Sequence, residues 1–203
     1  MARPLHTGTA VAFVKRERGF TLIEMMIVVV IIGILASLAI VGYRKLITSS
    51  HVSEATNMVQ NIRVAQEGYH AETQQYANIS GSVVSGGFYP SNAPTETLMT
   101  GWGAVCTVCN AGMQWTMLPL HVDGPVMFGY ATTAGPANTS PTDTNVTVSG
   151  QVLAFPQPSQ TDWFIVSATC DLDSNGSAPG SAQNTNVFTT SWANQVYVSN
   201  EGN

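Results

Sequence analysis

A run of 19 residues without a charged side chain, from Met25 to Tyr43, constrains what this chain can fold into more than any other feature. As an α-helix the run would be about 28 Å long, close to the hydrocarbon thickness of a bilayer. The run therefore predicts a membrane-spanning helix, and its simplest interpretation is a single-pass anchor for the rest of the chain.

Basic residues precede the apolar run and set its expected orientation. Residues 15–18 carry three of them, and the positive-inside rule places such a cluster in the cytoplasm. A cleavable secretory signal would carry a small residue after its apolar core, whereas here Gly19 comes before it. Arg44 and Lys45 follow the apolar run and reduce the difference in positive charge between its two sides. We still expect the later residues to lie outside the cytoplasm.

Glu24 directly precedes this run and lies within the apolar stretch that starts at Phe20, where a charge is disfavoured. An ionisable group within a membrane helix is costly and needs a partner. If the chain were cut after Gly19, Phe20 would carry a new positively charged amine about one helical turn from Glu24. These two charges can pair within one chain, or between neighbouring chains packed side by side with a small axial offset.

Gly19 and the residues that follow it, FTLIEMMIVVVIIGILASLAI, resemble the class III signal of type IV pilins and of the related pseudopilins. The resemblance covers roughly residues 15 to 47. It implies that a membrane prepilin peptidase removes residues 1–19 as a leader and methylates the new amine of Phe20. It also implies that Glu24 guides subunit docking by neutralising the N-terminus of a neighbour as a filament grows.

Apolar residues continue at helical spacing beyond the membrane segment, in steps of three or four. The members of this stripe are Ala55, Met58, Ile62, Ala65 and Tyr69. We expect one helix over residues 20–73, transmembrane over about 20–43, and an extracytoplasmic head over residues 74–203. The fold class is expected to be α+β. The resemblance implies the type IV pilin fold, in which the long helix packs on an antiparallel sheet.

Several segments of the head are typical of β-strands, because they are apolar or alternate between apolar and polar residues. They are residues 113–122, 125–133, 162–170 and 195–199. Asp123-Gly124 predicts a hairpin between the first two, although Pro119 marks an edge or a break. Residues 131–150 are polar and contain proline, which predicts a loop.

The charge distribution excludes one class of partner. Only 9% of the residues are charged, and no Lys or Arg follows Arg63. An acidic head of this kind repels a phosphate backbone, so we expect no nucleic-acid partner. The chain also contains no phosphate loop and no hydrolase or zinc-protease motif, so we expect no enzymatic activity.

The segment DLDSNG is the one candidate for a metal site. Asp171, Asp173 and Asn175 are spaced as in the first half of a calcium loop. The bidentate acid that completes an EF-hand loop would fall at Ala182, which cannot supply it. The alternative is a turn between two strands, which this composition suits well. Calcium is therefore the only cofactor that the sequence suggests, and both interpretations stay open.

Three cysteines permit only one disulfide within the chain. Cys106, Cys109 and Cys170 all lie outside the cytoplasm in this interpretation, where disulfides persist. A bridge from Cys106 or Cys109 to Cys170 would close a long loop and constrain the unfolded chain more. A local bridge between Cys106 and Cys109 is the alternative, and the sequence does not decide between them.

Two functions follow from the resemblance. The first is a structural subunit of a type IV pilus, a filament of copies of itself that serves adhesion or surface motility. The second is a pseudopilin of a type II secretion system. The resemblance implies a prepilin peptidase and the inner-membrane assembly machinery as partners. It also implies a precursor in the inner membrane with a cytoplasmic N-terminus, and then an extracellular filament.

Overall fold

The computed structural model describes the residues 19–141, 147–148, 151–152, 159–181, 183–193 and 195–200, with the backbone alone for 147–148 and 151–152. Residues 1–18 of the expected leader, part of the predicted loop 131–150 and Ala182 lie outside the described residues. The chain divides into two compact units, residues 1–42 and residues 43–203. Helix α1, Leu22–Thr73, begins in the first unit and ends in the second.

In the N-terminal unit, α1 presents apolar side chains in every direction. Residues 22–42 are all exposed within the chain. By length and composition this helix is suited to cross a membrane. In water so much apolar surface is unfavourable, so the segment needs lipid or protein around it.

In the second unit, one face of α1 packs on the head. The predicted stripe is confirmed at Ala55 and Ile62, which are fully buried, and at Met58 and Ala65, which are also buried. Gln66 is a polar member of the same buried face. Its amide Nε2 donates to Ala77 O at 2.8 Å and to Thr132 Oγ1 at 2.9 Å, and its Oε1 accepts from Ala77 N at 2.8 Å. These bonds satisfy the buried amide and fix the helix to the segment that follows it.

The head contains a four-stranded antiparallel sheet in the order β1-β4-β5-β6. The strands of this sheet are β1 Gly129–Gly135, β4 Trp163–Cys170, β5 Thr185–Thr190 and β6 Tyr197–Ser199. Two short strands, β2 Thr147–Val148 and β3 Gln151–Val152, pair separately as an antiparallel ribbon. Together with α1, the sheet confirms the expected α+β pilin fold.

Two strand predictions were wrong. Residues 113–122 form no strand and contain only the 3₁₀ turn Trp115–Met117, so Asp123-Gly124 closes no hairpin. Pro119 explains this, because it lacks an N–H and the chain turns tightly over it, with Leu120 N donating to Leu118 O at 2.7 Å. The second error concerns β1, which starts four residues later than predicted and runs into the expected loop as far as Gly135.

Both faces of the central strand β4 are covered, which explains its continuous apolar character. Phe164 and Val166 belong to the core that includes the buried face of α1. Trp163 and Ile165 belong to a second cluster with Phe188 on the other face. All eight residues of β4 are buried.

Candidate functional site

The expected processing site lies immediately before α1. Gly19 and Phe20 precede the helix, and Phe20 is 85% exposed. A side-chain carbon placed on Gly19 would meet no atom within 4 Å. Within the described residues, nothing crowds the bond between these two residues, as cleavage there would require.

Thr21 and Glu24 form a reciprocal cap at the start of α1. Thr21 N and Thr21 Oγ1 both donate to Glu24 Oε2 at 2.8 Å, and Glu24 N donates to Thr21 Oγ1 at 3.3 Å. This is the capping-box arrangement, in which two otherwise unpaired helix donors are satisfied at once. The spacing Thr-x-x-Glu is the sequence signal for such a cap, and it escaped the sequence analysis. The Glu24 carboxylate is therefore oriented by its own chain while it remains exposed.

In the structure the disulfide is the local one, between Cys106 and Cys109. Cys106 and Cys109 are bonded, and Cys170 is a buried free thiol at the end of β4. Gln114 braces the same loop, since its Oε1 accepts from Cys106 N at 2.9 Å and its Nε2 donates to Cys106 O at 3.2 Å. Burial raises the pKa of Cys170 to about 12, and the neighbouring Asp171 adds to the shift. The thiol is therefore protonated and unreactive at neutral pH.

The candidate calcium residues form a turn held by hydrogen bonds. Asp171 is only 4% exposed, and its Oδ1 and Oδ2 accept from Asn175 N at 3.2 Å and Gly176 N at 2.9 Å. Asn175 Nδ2 donates to Asp173 Oδ2 at 2.7 Å. Gly176 has φ of +76°, a conformation that glycine adopts without strain. The side chains thus already serve the backbone and each other, as the turn interpretation requires.

The amide oxygen of Asn175 is also engaged in this turn. Asn175 Oδ1 accepts from Ser177 N at 2.8 Å, which engages a fourth candidate ligand oxygen. Among the described residues, no group of three or more His, Cys, Asp or Glu side chains is arranged to hold a metal ion. The hydrogen bonds are those of a turn, and calcium binding at Asp171, Asp173 and Asn175 stays a prediction.

Known proteins resemble part of this chain. The prokaryotic N-terminal methylation motif matches residues 14–40. The chain is 42% identical over 78 residues to the type IV major pilin protein PilA of Myxococcus xanthus, an alignment that covers 38% of this chain and 34% of that protein. It is 36% identical over 89 residues to a fimbrial protein of Pseudomonas aeruginosa, covering 44% of this chain and 56% of the other.

A fimbrial protein of Moraxella nonliquefaciens is 32% identical over 98 residues, with 45% of this chain and 64% of that protein covered. The matched region thus spans between about a third and two thirds of the length of these relatives. No solved structure matches the chain at a significant level. The methylation motif and the pilin relatives support a type IV pilin family for this chain, and the helix-on-sheet fold agrees with it.

Proposed function

We propose that this chain is a structural subunit of a type IV pilus filament, assembled through the N-terminal part of α1. The observation that carries the proposal is Glu24, a carboxylate at the start of an apolar helical segment whose side chains are exposed. A segment of this kind needs lipid before assembly and the helices of other subunits after it. The names of the relatives, which are pilins and fimbrial proteins, support the same conclusion.

Glu24 guides docking by charge neutralisation. After cleavage between Gly19 and Phe20, each subunit carries a positive amine at Phe20, about one helical turn from its own carboxylate. An unpaired charge in hydrocarbon costs free energy. When the amine of an incoming subunit pairs with the Glu24 carboxylate of a neighbour, the cost of both charges is reduced. The cap from Thr21 orients the carboxylate beforehand, so less side-chain freedom is lost on docking.

The remaining steps follow from this assignment. A prepilin peptidase removes residues 1–19 and methylates Phe20, and the inner-membrane assembly machinery extracts the mature subunit into the filament. The precursor spans the inner membrane with its N-terminus in the cytoplasm, and the assembled form is extracellular. Adhesion or surface motility is the filament's task. The proposal requires neither a catalytic residue nor a cofactor.

The alternative is a pseudopilin of a type II secretion system. The methylation motif supports both assignments, because pseudopilins share the processing signal. A metal-dependent turn at Asp171 would favour the pseudopilin, whereas the hydrogen-bonded turn described above favours neither.

Electron microscopy of cells that lack the chain tests the proposal. Surface filaments should disappear on deletion and return with the wild-type chain. Glu24→Ala should be inserted and cleaved, because removing a charge eases insertion, but it should not restore filaments. Glu72→Ala is the matched control, since Glu72 is an exposed carboxylate near the other end of the same helix, and it should restore them.

Two outcomes would overturn parts of the proposal. Normal filament numbers with Glu24→Ala as the only copy would contradict the docking role. Filaments that persist after deletion, together with a loss of secreted folded proteins, would assign the chain to the secretion system instead.

A further inference from the structure

Four segments of the second unit meet at one end of the main sheet. Because the strands are antiparallel, the end of β1 pairs with the start of β4, Gly135 with Trp163, and Ile165 of β4 pairs with Thr190, where β5 ends. The last turn of α1 reaches the same place, where His70 Nε2 lies 3.5 Å from Asp162 Oδ2. Residues that are far apart in sequence are thereby brought around one site.

A groove lies at this meeting point. Its volume is about 460 Å³, within the range of about 300–1,000 Å³ found for small-molecule sites. Its wall combines aromatic rings with side chains that accept hydrogen bonds: His70, Gln74, Tyr76, Asp162, Ser191 and Trp192. Nothing in the docking role of Glu24 uses this groove.

Asp162 is held in position and retains accepting capacity. Its Oδ1 accepts from Ala137 N at 2.8 Å, which fixes the carboxylate at the start of β4. Its Oδ2 lies 3.5 Å from His70 Nε2, longer than the roughly 2.7–2.9 Å of a charge-assisted hydrogen bond. A closer donor can therefore be accommodated at Oδ2, and the side chain is 31% exposed.

The groove lies in a region of negative charge. Tyr76 OH donates to Glu67 Oε2 at 3.2 Å. Burial, then Glu67 and then Asp162 raise the pKa of Tyr76 to about 12, and Arg63 opposes them as the smallest contribution. No Lys or Arg follows Arg63 in the sequence, so the later segments of the wall bring no permanent cation. Among the described residues that line the groove, only His70 has a basic side chain, and Asp162 is a carboxylate.

The wall of the groove also contains aromatic rings. The imidazole of His70 stacks on Tyr76 at 4.3 Å between centroids, and Phe164 meets Tyr76 edge-on at 4.8 Å. Trp192 is half-buried, packs against the second core cluster and also lines the groove. Indole rings attract cations through their electron-rich faces.

We propose that this groove binds the primary ammonium group of a small organic molecule, with Asp162 as its counter-ion. A primary ammonium has three donors, and Asp162, Ser191 and Gln74 supply carboxylate, hydroxyl and amide acceptors in one wall. A quaternary ammonium has no donors and would leave these acceptors unused. This binding activity goes beyond the filament role and does not depend on it.

Nuclear magnetic resonance of the ¹⁵N-labelled full chain, in a nonionic maltoside detergent, provides the test. The probe is n-butylammonium, followed through the indole N–H signals, with Trp192→Phe used to assign Trp192. The Trp192 signal should shift saturably, and the signal of the core residue Trp115 should not. The neutral isostere 1-butanol should shift the Trp192 signal at least about tenfold less, as should tetramethylammonium.

Variants separate the proposed contact from general electrostatics. Asp162→Asn keeps an acceptor for Ala137 N but loses the charge, and it should weaken butylammonium binding about tenfold. Asp123→Asn is the matched control, because Asp123 is a carboxylate 92% exposed and paired with His121 rather than with the groove. It should leave binding unchanged. Equal responses to 1-butanol and butylammonium, or undiminished binding in Asp162→Asn, would overturn the proposal.

Discussion

The carboxylate of Glu24 and the side chain and backbone of Thr21 are joined in both directions, with two bonds of 2.8 Å into Glu24 Oε2 and one of 3.3 Å back to Thr21 Oγ1. The residue assigned to docking is therefore also the residue that caps its own helix. Thr21 fixes where the carboxylate lies before any neighbour arrives, and the helix begins directly after it at Leu22.

Removing the Thr21 hydroxyl should loosen the first turn of α1. Thr21→Ala loses a capping acceptor worth about 1 kcal/mol, so amide protons of the first turn should exchange about fivefold faster. Thr21→Ser keeps the hydroxyl and should exchange like the wild type. Hydrogen exchange of the full chain in micelles measures this, and equal rates for Ala and Ser would contradict the cap.

Two buried tyrosines should respond in opposite directions to loss of their hydroxyls. Tyr89 OH donates to Ala104 O at 2.7 Å and accepts from Gly103 N at 2.9 Å, so Tyr89→Phe should lower the free energy of unfolding by about 1–2 kcal/mol. Tyr130 OH is fully buried and has no hydrogen-bond partner among the described residues. Tyr130→Phe should therefore raise that free energy by about 1 kcal/mol.

Urea denaturation of the two variants in the same detergent compares them directly, and both rings contact Trp102, which makes them a matched pair. A loss of stability in Tyr130→Phe as large as that in Tyr89→Phe would mean that the Tyr130 hydroxyl is bonded after all.

The cysteines should show one protected thiol. With Cys106 and Cys109 bonded, only Cys170 can react with iodoacetamide, and in the native state it is buried. At pH 9 the folded thiol keeps its proton, because its pKa is raised to about 12, whereas the unfolded thiol, at about 8.5, is largely ionised. The stabilising contribution of Cys170 is thus complete below about pH 8.5 and is lost as the pH rises toward 12.

Labelling at pH 9 should consequently be slow in buffer and complete in urea, and peptide mass spectrometry should place the label on Cys170. Cys170→Ala should abolish it. Label on Cys106 or Cys109 without a reductant would contradict the local bridge.

The turn at Asp171 should stand without calcium. Both carboxylate oxygens of Asp171 already accept hydrogen bonds from backbone N–H groups. The melting temperature of the full chain should therefore be the same in millimolar calcium and in chelator. A bound ion at a hundredfold excess over its Kd would add about 2.7 kcal/mol and raise the melting temperature by several degrees. Asp171→Asn should lower stability by about 1–2 kcal/mol equally with and without calcium, since its amide end cannot accept. A calcium-dependent rise that disappears in this variant would establish the metal site.

Features with a local period were predictable from the sequence, and features that depend on distant partners were not. The stripe of α1 and the strand β4 follow from residue spacing and apolar content, and they lie where expected. Strand β5 was missed because half of its residues are threonines, which a loop also contains, although the neighbouring Val187 and Phe188 were an available signal. Gln66 interrupts the apolar stripe, and only Ala77 and Thr132, brought close by folding, explain its burial.

The same distinction holds for the sites. The roles of Gly19 and Glu24 could be proposed from the sequence because they depend on short spacing along the chain, and they stay predictions. The pairing of Cys106 with Cys109 was one of two open alternatives, because the position of Cys170 is set by β4 and not by sequence distance. The groove around Asp162 lies where α1 meets the ends of three strands, and no local sequence pattern predicts it.

Mass spectrometry of filaments sheared from the cell surface tests the central claim most directly, because it asks in one measurement whether the chain is in the filament and how it was processed. The account predicts this chain as a filament component that begins at Phe20 and carries one additional methyl group on its amine. Filaments that lack the chain, or that contain it with residues 1–19 still attached, would contradict the account.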